Sequence, residues 1–89
     1  MQKSDFTDLL FDAILTLKTR DELYDFFSDA CTPKEVDAIA QRFAVAKMLN
    51  EKKVYNEIIE KTGASTATIS RVNRSINEGF QLAFERLKK

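Results

Sequence analysis

The sequence predicts an all-α chain of about six helices, on three observations. Two glycines and one proline in 89 residues supply too little turn chemistry for a succession of short strands. Apolar residues recur three and four positions apart rather than at every second position. Hydroxyl residues stand just ahead of several such runs, where their oxygens can accept hydrogen bonds from the free N–H groups of a helix start.

Phe6, Leu9, Leu10, Ala13, Ile14 and Leu17 form the inward stripe of a first helix, at the spacing of one helical face. Phe11 and Leu15 fall off that stripe, and a second apolar face on so short a helix is expected at a subunit contact. Thr19 with Glu22 reads as a capping box opening a second helix, which carries Leu23, Tyr24, Phe26 and Phe27. Thr32-Pro33-Lys34-Glu35 is the clearest start signal: an N-cap threonine, proline at the first helical position and glutamate at the reciprocal position. The third helix begins there and runs to about Asn50, with Val36, Ile39, Ala40, Phe43 and Ala46 or Ala44 expected inward.

Glu51-Lys52-Lys53 makes a short charged connection. A fourth helix of barely two turns, 55–62, is drawn inward by Ile58 and Ile59 and closes at Gly63, which can adopt the left-handed conformation at little cost. Ser65 caps a fifth helix from Thr66 to about Asn77. Gly79 is expected to break or bend the chain before a last helix with Phe80, Ala83, Phe84 and Leu87 on one side. The chain reads as a single domain, 1–89, made of N-terminal helices (1–31), a core helix with the two short helices (32–77) and a C-terminal helix (78–89).

Composition closes off much chemistry. With no histidine and only Cys31 as a soft ligand, Ser-His-Asp and Cys-His relays and Cys/His zinc sites are excluded. The carboxylates fall mostly on exposed helix faces, with no glycine-rich phosphate loop beside them, so neither an enzyme nor a cofactor is expected. One cysteine makes no internal disulfide, and no run of about 20 apolar residues could span a bilayer, so the cytoplasm is the expected compartment. Net charge is zero but uneven: residues 1–31 carry three basic against seven acidic residues, and residues 32–89 eleven against seven. A basic half of this kind points toward a polyanion.

Residues 55–77 carry the functional pattern. Two helices joined by a three-residue turn with Gly63, small Ala64 next to it, and Ile69 and Val72 six and nine positions past the glycine make a helix-turn-helix. On a wheel of about 100° per residue centred on Ile69, Val72, Ile76 and Ser65 face inward, while Ala67, Ser70, Arg71 and Arg74 lie on the outward arc. Small residues allow close approach to base edges, and arginine reaches phosphate or guanine. From Thr66 to Asn77 there is no acidic residue, which favours DNA over the alternative, a helical module that binds a protein partner through exposed aromatics.

Those residues carry a resemblance. Thr32-Pro33-Lys34-Glu35, Arg42, Glu57-Ile58 and the string Gly63-Ala64-Ser65-Thr66-Ala67-Thr68-Ile69-Ser70-Arg71 are similar to the tryptophan repressor family, most closely its compact Gram-positive, YerC/YecD-type branch. The resemblance covers roughly residues 32–77; residues 1–31 match only in helical character and placement. It implies an intertwined homodimer whose N-terminal helices interlock, binding a near-palindromic operator on double-stranded DNA and regulating transcription as a repressor. It also implies that Thr66, Ala67 and Ser70 face the bases and that Asn56 lies near the backbone of the same groove. Family positions that supply positive charge on the fourth helix are Asn56 and Ile59 here, so phosphate grip shifts to Lys52, Lys53, Arg71 and Arg74. In tryptophan repressor the indole lies between two arginines, corresponding to Arg42 and Arg71, beside a glycine whose position is Val72 here. An isopropyl group would fill the ring's space, so tryptophan is not expected as co-repressor. Arg42, Arg71 and Val72 remain the candidate effector positions.

Overall fold

The computed structural model describes residues 1–88; Lys89, the end of the expected 78–89 segment, lies outside them. Six helices follow one another: α1 (Asp5–Leu15), α2 (Arg20–Ala30), α3 (Pro33–Asn50), α4 (Tyr55–Thr62), α5 (Thr66–Ser75) and α6 (Glu78–Leu87). No strand occurs among the described residues, and no helix there is long and apolar enough to cross a membrane. The chain divides into two compact units, Met1–Val36 and the remainder from Asp37.

The first unit is built on cap chemistry. Thr32 and Glu35 close the box expected of them: the Thr32 N–H donates to Glu35 Oε1 at 2.8 Å and the Glu35 N–H to Thr32 Oγ1 at 3.2 Å. At α2 the Glu22 N–H donates to Thr19 Oγ1 (3.1 Å), but the return bond is shifted, because Glu22 Oε1 accepts from Lys18 N–H (2.8 Å). A third box, Ser4 with Thr7, opens α1; a threonine in place of glutamate hides it from the usual sequence pattern.

No residue of α1 or α2 is fully buried. Ala13, Ile14 and Leu17 of the expected stripe are half-buried, whereas Phe6 is 86% exposed and Leu9 67%, as open as the off-stripe Leu15 at 80%. The distinction between inward and outward faces is thus lost at the start of α1, since two short helices lack the surface to cover it. Phe26 and Phe27 are half-buried and meet edge to face, with ring centroids 5.5 Å apart.

The second unit holds the core: Val45 and Ala46 from α3, Ile58 from α4, Ala64 from the turn, Ile69 and Val72 from α5, and Phe84 from α6. Filling such positions stabilises by roughly 1.5–3 kcal/mol for each large side chain taken out of water. Phe43 of α3 meets Phe80 and Phe84 of α6 with ring centroids 5.2 and 5.4 Å apart, which fastens α6 to α3. The expected α3 stripe is displaced: Ile39 and Ala40 are exposed and Val45 is buried instead, because the core draws on the C-terminal half of α3.

Two boundaries also differ from expectation. α5 stops at Ser75, since Ile76 and Asn77 are extended and Asn77 begins α6. Gly79 therefore sits inside the first turn of α6 and does not break the chain. The Glu51–Lys53 connection is a Schellman closure, with Lys53 N–H bonded to Met48 carbonyl and Lys52 N–H to Leu49 carbonyl, both at 3.0 Å. Its left-handed residue is Lys52, with φ 65°, where a glycine is customary.

Candidate nucleic-acid interface

The site starts from two short helices that cannot stand alone. α4 and α5 have eight and ten residues, below the length at which an isolated helix persists in water, so packing and caps must hold them. Gly63 takes φ 73° and its N–H reaches the Ile59 carbonyl at 2.9 Å. Ser65 then caps α5, its Oγ accepting from the Thr68 N–H at 3.1 Å. Ile58 and Ile69 are completely buried, Ala64 is 3% exposed and Val72 2%, so one apolar seam fixes α4 against α5.

With that seam inside, the rest of α5 is turned outward. Thr66, Ala67, Arg71 and Arg74 are exposed, and Ser70 is half-buried. Ser70, expected on the outward arc, is the departure: it stands only about 100° from Ile69, which puts it on the flank of the buried face. Ser65, placed inward by the wheel, is exposed; a cap residue lies outside the helix, where the helical angle no longer governs it. Neither Arg71 nor Arg74 forms an ion pair among the described residues, where the ion pairs are Lys47–Glu51 and Lys53–Glu57.

The remaining expected residues are more scattered. Asn56 is exposed in the first turn of α4. Lys52 is exposed on the connection before it, and its left-handed backbone was invisible to a reading that looks for glycine. Lys53 is also exposed, but its Nζ lies 4.0 Å from Glu57 Oε2, which offsets part of its charge.

Arg42 and Arg71 are brought together on one cleft of about 390 Å³, whose lining includes Ala38, Gln41, Thr68 and Val72. Val72 has only 2% of its surface free, so its isopropyl group is committed largely to the core while bordering this cleft. No lining residue is acidic.

The sequence reading missed Gln41 and Thr62. Gln41 Nε2 donates to the Thr62 carbonyl at 3.0 Å, Thr62 Oγ1 donates to the Ile58 carbonyl at 2.7 Å, and Ala64 N–H donates to Thr62 Oγ1 at 3.1 Å. A bond between residues 21 apart leaves no periodic trace in a sequence. Only the threonine just before the glycine turn hinted at it.

Comparison with known proteins places this geometry. A family profile described as Trp repressor protein matches residues 6–88. The chain is 49% identical over 85 residues to the Bacillus subtilis (strain 168) protein YerC, covering 92% of this chain and 82% of that one. It is similar to the crystal structure of a TrpR-like protein from Eubacterium eligens ATCC 27750, with TM-score 0.92, 57% identity, and 97% and 92% of the two chains covered. A solved Staphylococcus aureus structure matches with TM-score 0.91 and 45% identity, over 97% of this chain and 89% of that chain.

Proposed function

The chain belongs to the Trp repressor family, and on that premise we propose that it is a homodimeric, sequence-specific repressor of transcription. Two copies present their α5 helices to successive major grooves on one face of a near-palindromic operator. The centres lie about 34 Å apart, the spacing general to helix-turn-helix dimers, tryptophan repressor among them. Repression follows from occlusion of polymerase at the occupied site.

The observation that carries the reading is the two-sidedness of α5. Ile69 and Val72 are locked inside while Thr66, Ala67, Arg71 and Arg74 stand exposed on a helix with no carboxylate. Thr66, Ala67 and Ser70 read base edges; Ala67 brings a methyl group close without blocking approach. Asn56, Lys52, Lys53, Arg71 and Arg74 hold the phosphates. The exposed Phe6, Leu9, Phe11 and Leu15 of α1 form the contact between copies. Arg42, Arg71 and Val72 border an effector position that does not take tryptophan, so adding tryptophan leaves operator affinity unchanged.

Selection of genomic fragments by the purified protein, followed by gel shift on the recovered duplex, tests the reading. Ala67→Phe should abolish specific retention with helical content unchanged by circular dichroism. If that variant retains the duplex as the parent does, α5 does not enter the groove. A parent that retains no fragment even at low salt favours a protein-binding module instead.

A further inference from the structure

Gln41 is the side chain that ties α3 to the turn of the helix pair. Its Nε2 donates to the Thr62 carbonyl at 3.0 Å, and because a carbonyl only accepts, the amide end that meets it must be the –NH2. Thr62 is the last residue of α4, where terminal carbonyls lack partners within the helix. The same threonine uses Oγ1 to bond the Ile58 carbonyl and to receive the Ala64 N–H. The Gly63–Ala64–Ser65 connection is therefore anchored through Thr62, and Thr62 is anchored to α3 through Gln41.

Every other side-chain hydrogen bond among the described residues spans four positions or fewer. Between α3 and the helix pair the remaining restraint is apolar, Val45 and Ala46 clustering with Ile58, Ala64, Ile69 and Val72. Apolar burial is non-directional, whereas a hydrogen bond weakens steeply off its preferred angle. The angle at which α5 projects is thus restrained in direction by Gln41 in a way that the core alone does not supply.

We propose that Gln41 is a positioning residue for base recognition, holding the α4–α5 turn through the Thr62 carbonyl so that α5 meets the groove in one orientation. The inference rests on the reading of α5 as the recognition helix. Base-edge hydrogen bonds carry the sequence information and need that orientation, while phosphate contacts position the protein without reading sequence. Loss of the anchor should therefore act on discrimination rather than on general affinity.

The test uses the full-length protein, the operator duplex recovered by selection, and a scrambled duplex of equal length and composition. Gln41→Met keeps side-chain length and removes the donor. It should weaken operator binding by up to about tenfold, the upper end of what one net hydrogen bond supplies, and shift affinity for the scrambled duplex by less than about twofold. Gln41→Glu turns an acceptor toward the carbonyl at neutral pH and regains a donor when protonated. Arg42 and Arg71 line the same cleft and favour the carboxylate, so the preference of Gln41→Glu for operator over scrambled duplex, relative to the parent, should rise only as pH is lowered to about 4 and below, under the usual glutamate range. Without DNA, the Ala64 amide should exchange faster in Gln41→Met.

Equal loss on both duplexes, parent-like operator binding by Gln41→Met, or no acid recovery in Gln41→Glu would each overturn the proposal. If Gln41→Met does not fold, the Gln41→Glu titration decides. A parent that binds no duplex sinks the recognition reading instead, and Ala64 exchange then decides by itself whether Gln41 holds the turn.

Discussion

Single side chains set both the caps and the contacts. The Thr32 backbone and side-chain hydrogen bonds hold the Glu35 carboxyl below its ordinary range. A lowered folded-state pKa contributes stability above the unfolded value, near 4.3 for glutamate, and that contribution is lost as pH falls through the folded value. Urea midpoints measured from about pH 5 to about pH 3 should therefore fall less in Glu35→Gln than in the parent, and parallel curves would refute it. At the candidate interface, Arg71→Ala and Arg74→Ala test the phosphate role proposed for both side chains. A base contact costs about 1–3 kcal/mol and relaxes specificity at one position, while a phosphate contact weakens all duplexes alike and lowers the salt slope by about one. Isothermal binding at two salt concentrations on operator and scrambled DNA separates them.

Elements were legible in the sequence wherever their ends are written in local chemistry. α3 and α4 run over the residues the caps and Gly63 predict, because a Thr-Pro-x-Glu start and a glycine stop act within one turn of chain. The end of α3 was not legible as a Schellman closure, since the left-handed position is filled by Lys52 at a strain of roughly 1 kcal/mol or more. Lys52→Gly should thus raise unfolding free energy by up to about 1 kcal/mol, part of the relief being offset by a looser unfolded chain, and denaturant melts measure it. The inward face of α3 was misjudged at Ile39 and right at Phe43 and Ala46 for a related reason. Periodicity tells which residues share a face, but only tertiary partners decide how far along the helix that face is covered. At the candidate site, the exposed Ala67, Arg71 and Arg74 followed from the wheel and Thr66 from the family resemblance, while Ser70 is half-buried against the wheel's expectation; the Gln41–Thr62 anchor could not be read, being a contact between distant positions.

For the whole molecule the unequal distribution of interior matters most. The residues from Asp37 onward contain the fully buried cluster, while α1 and α2 contain none. A chain of this size buries only a little over about 60% of its unfolded surface by itself, so a second copy is the natural cover for Phe6, Leu9 and Leu15. Light scattering at micromolar concentration should give a mass near twice 10.2 kDa, and a monomer would overturn the dimer. Operator affinity should fall with salt at a logarithmic slope of about 0.9 per phosphate neutralised, which a titration between two ionic strengths reads. The exposed Lys18 and Arg20 beside the α1–α2 junction then become a gauge of association. Simple dilution should make the chain there cleavable by trypsin without heat or acid, because a segment without its own interior owes its order to its neighbour and surrenders it when that neighbour departs.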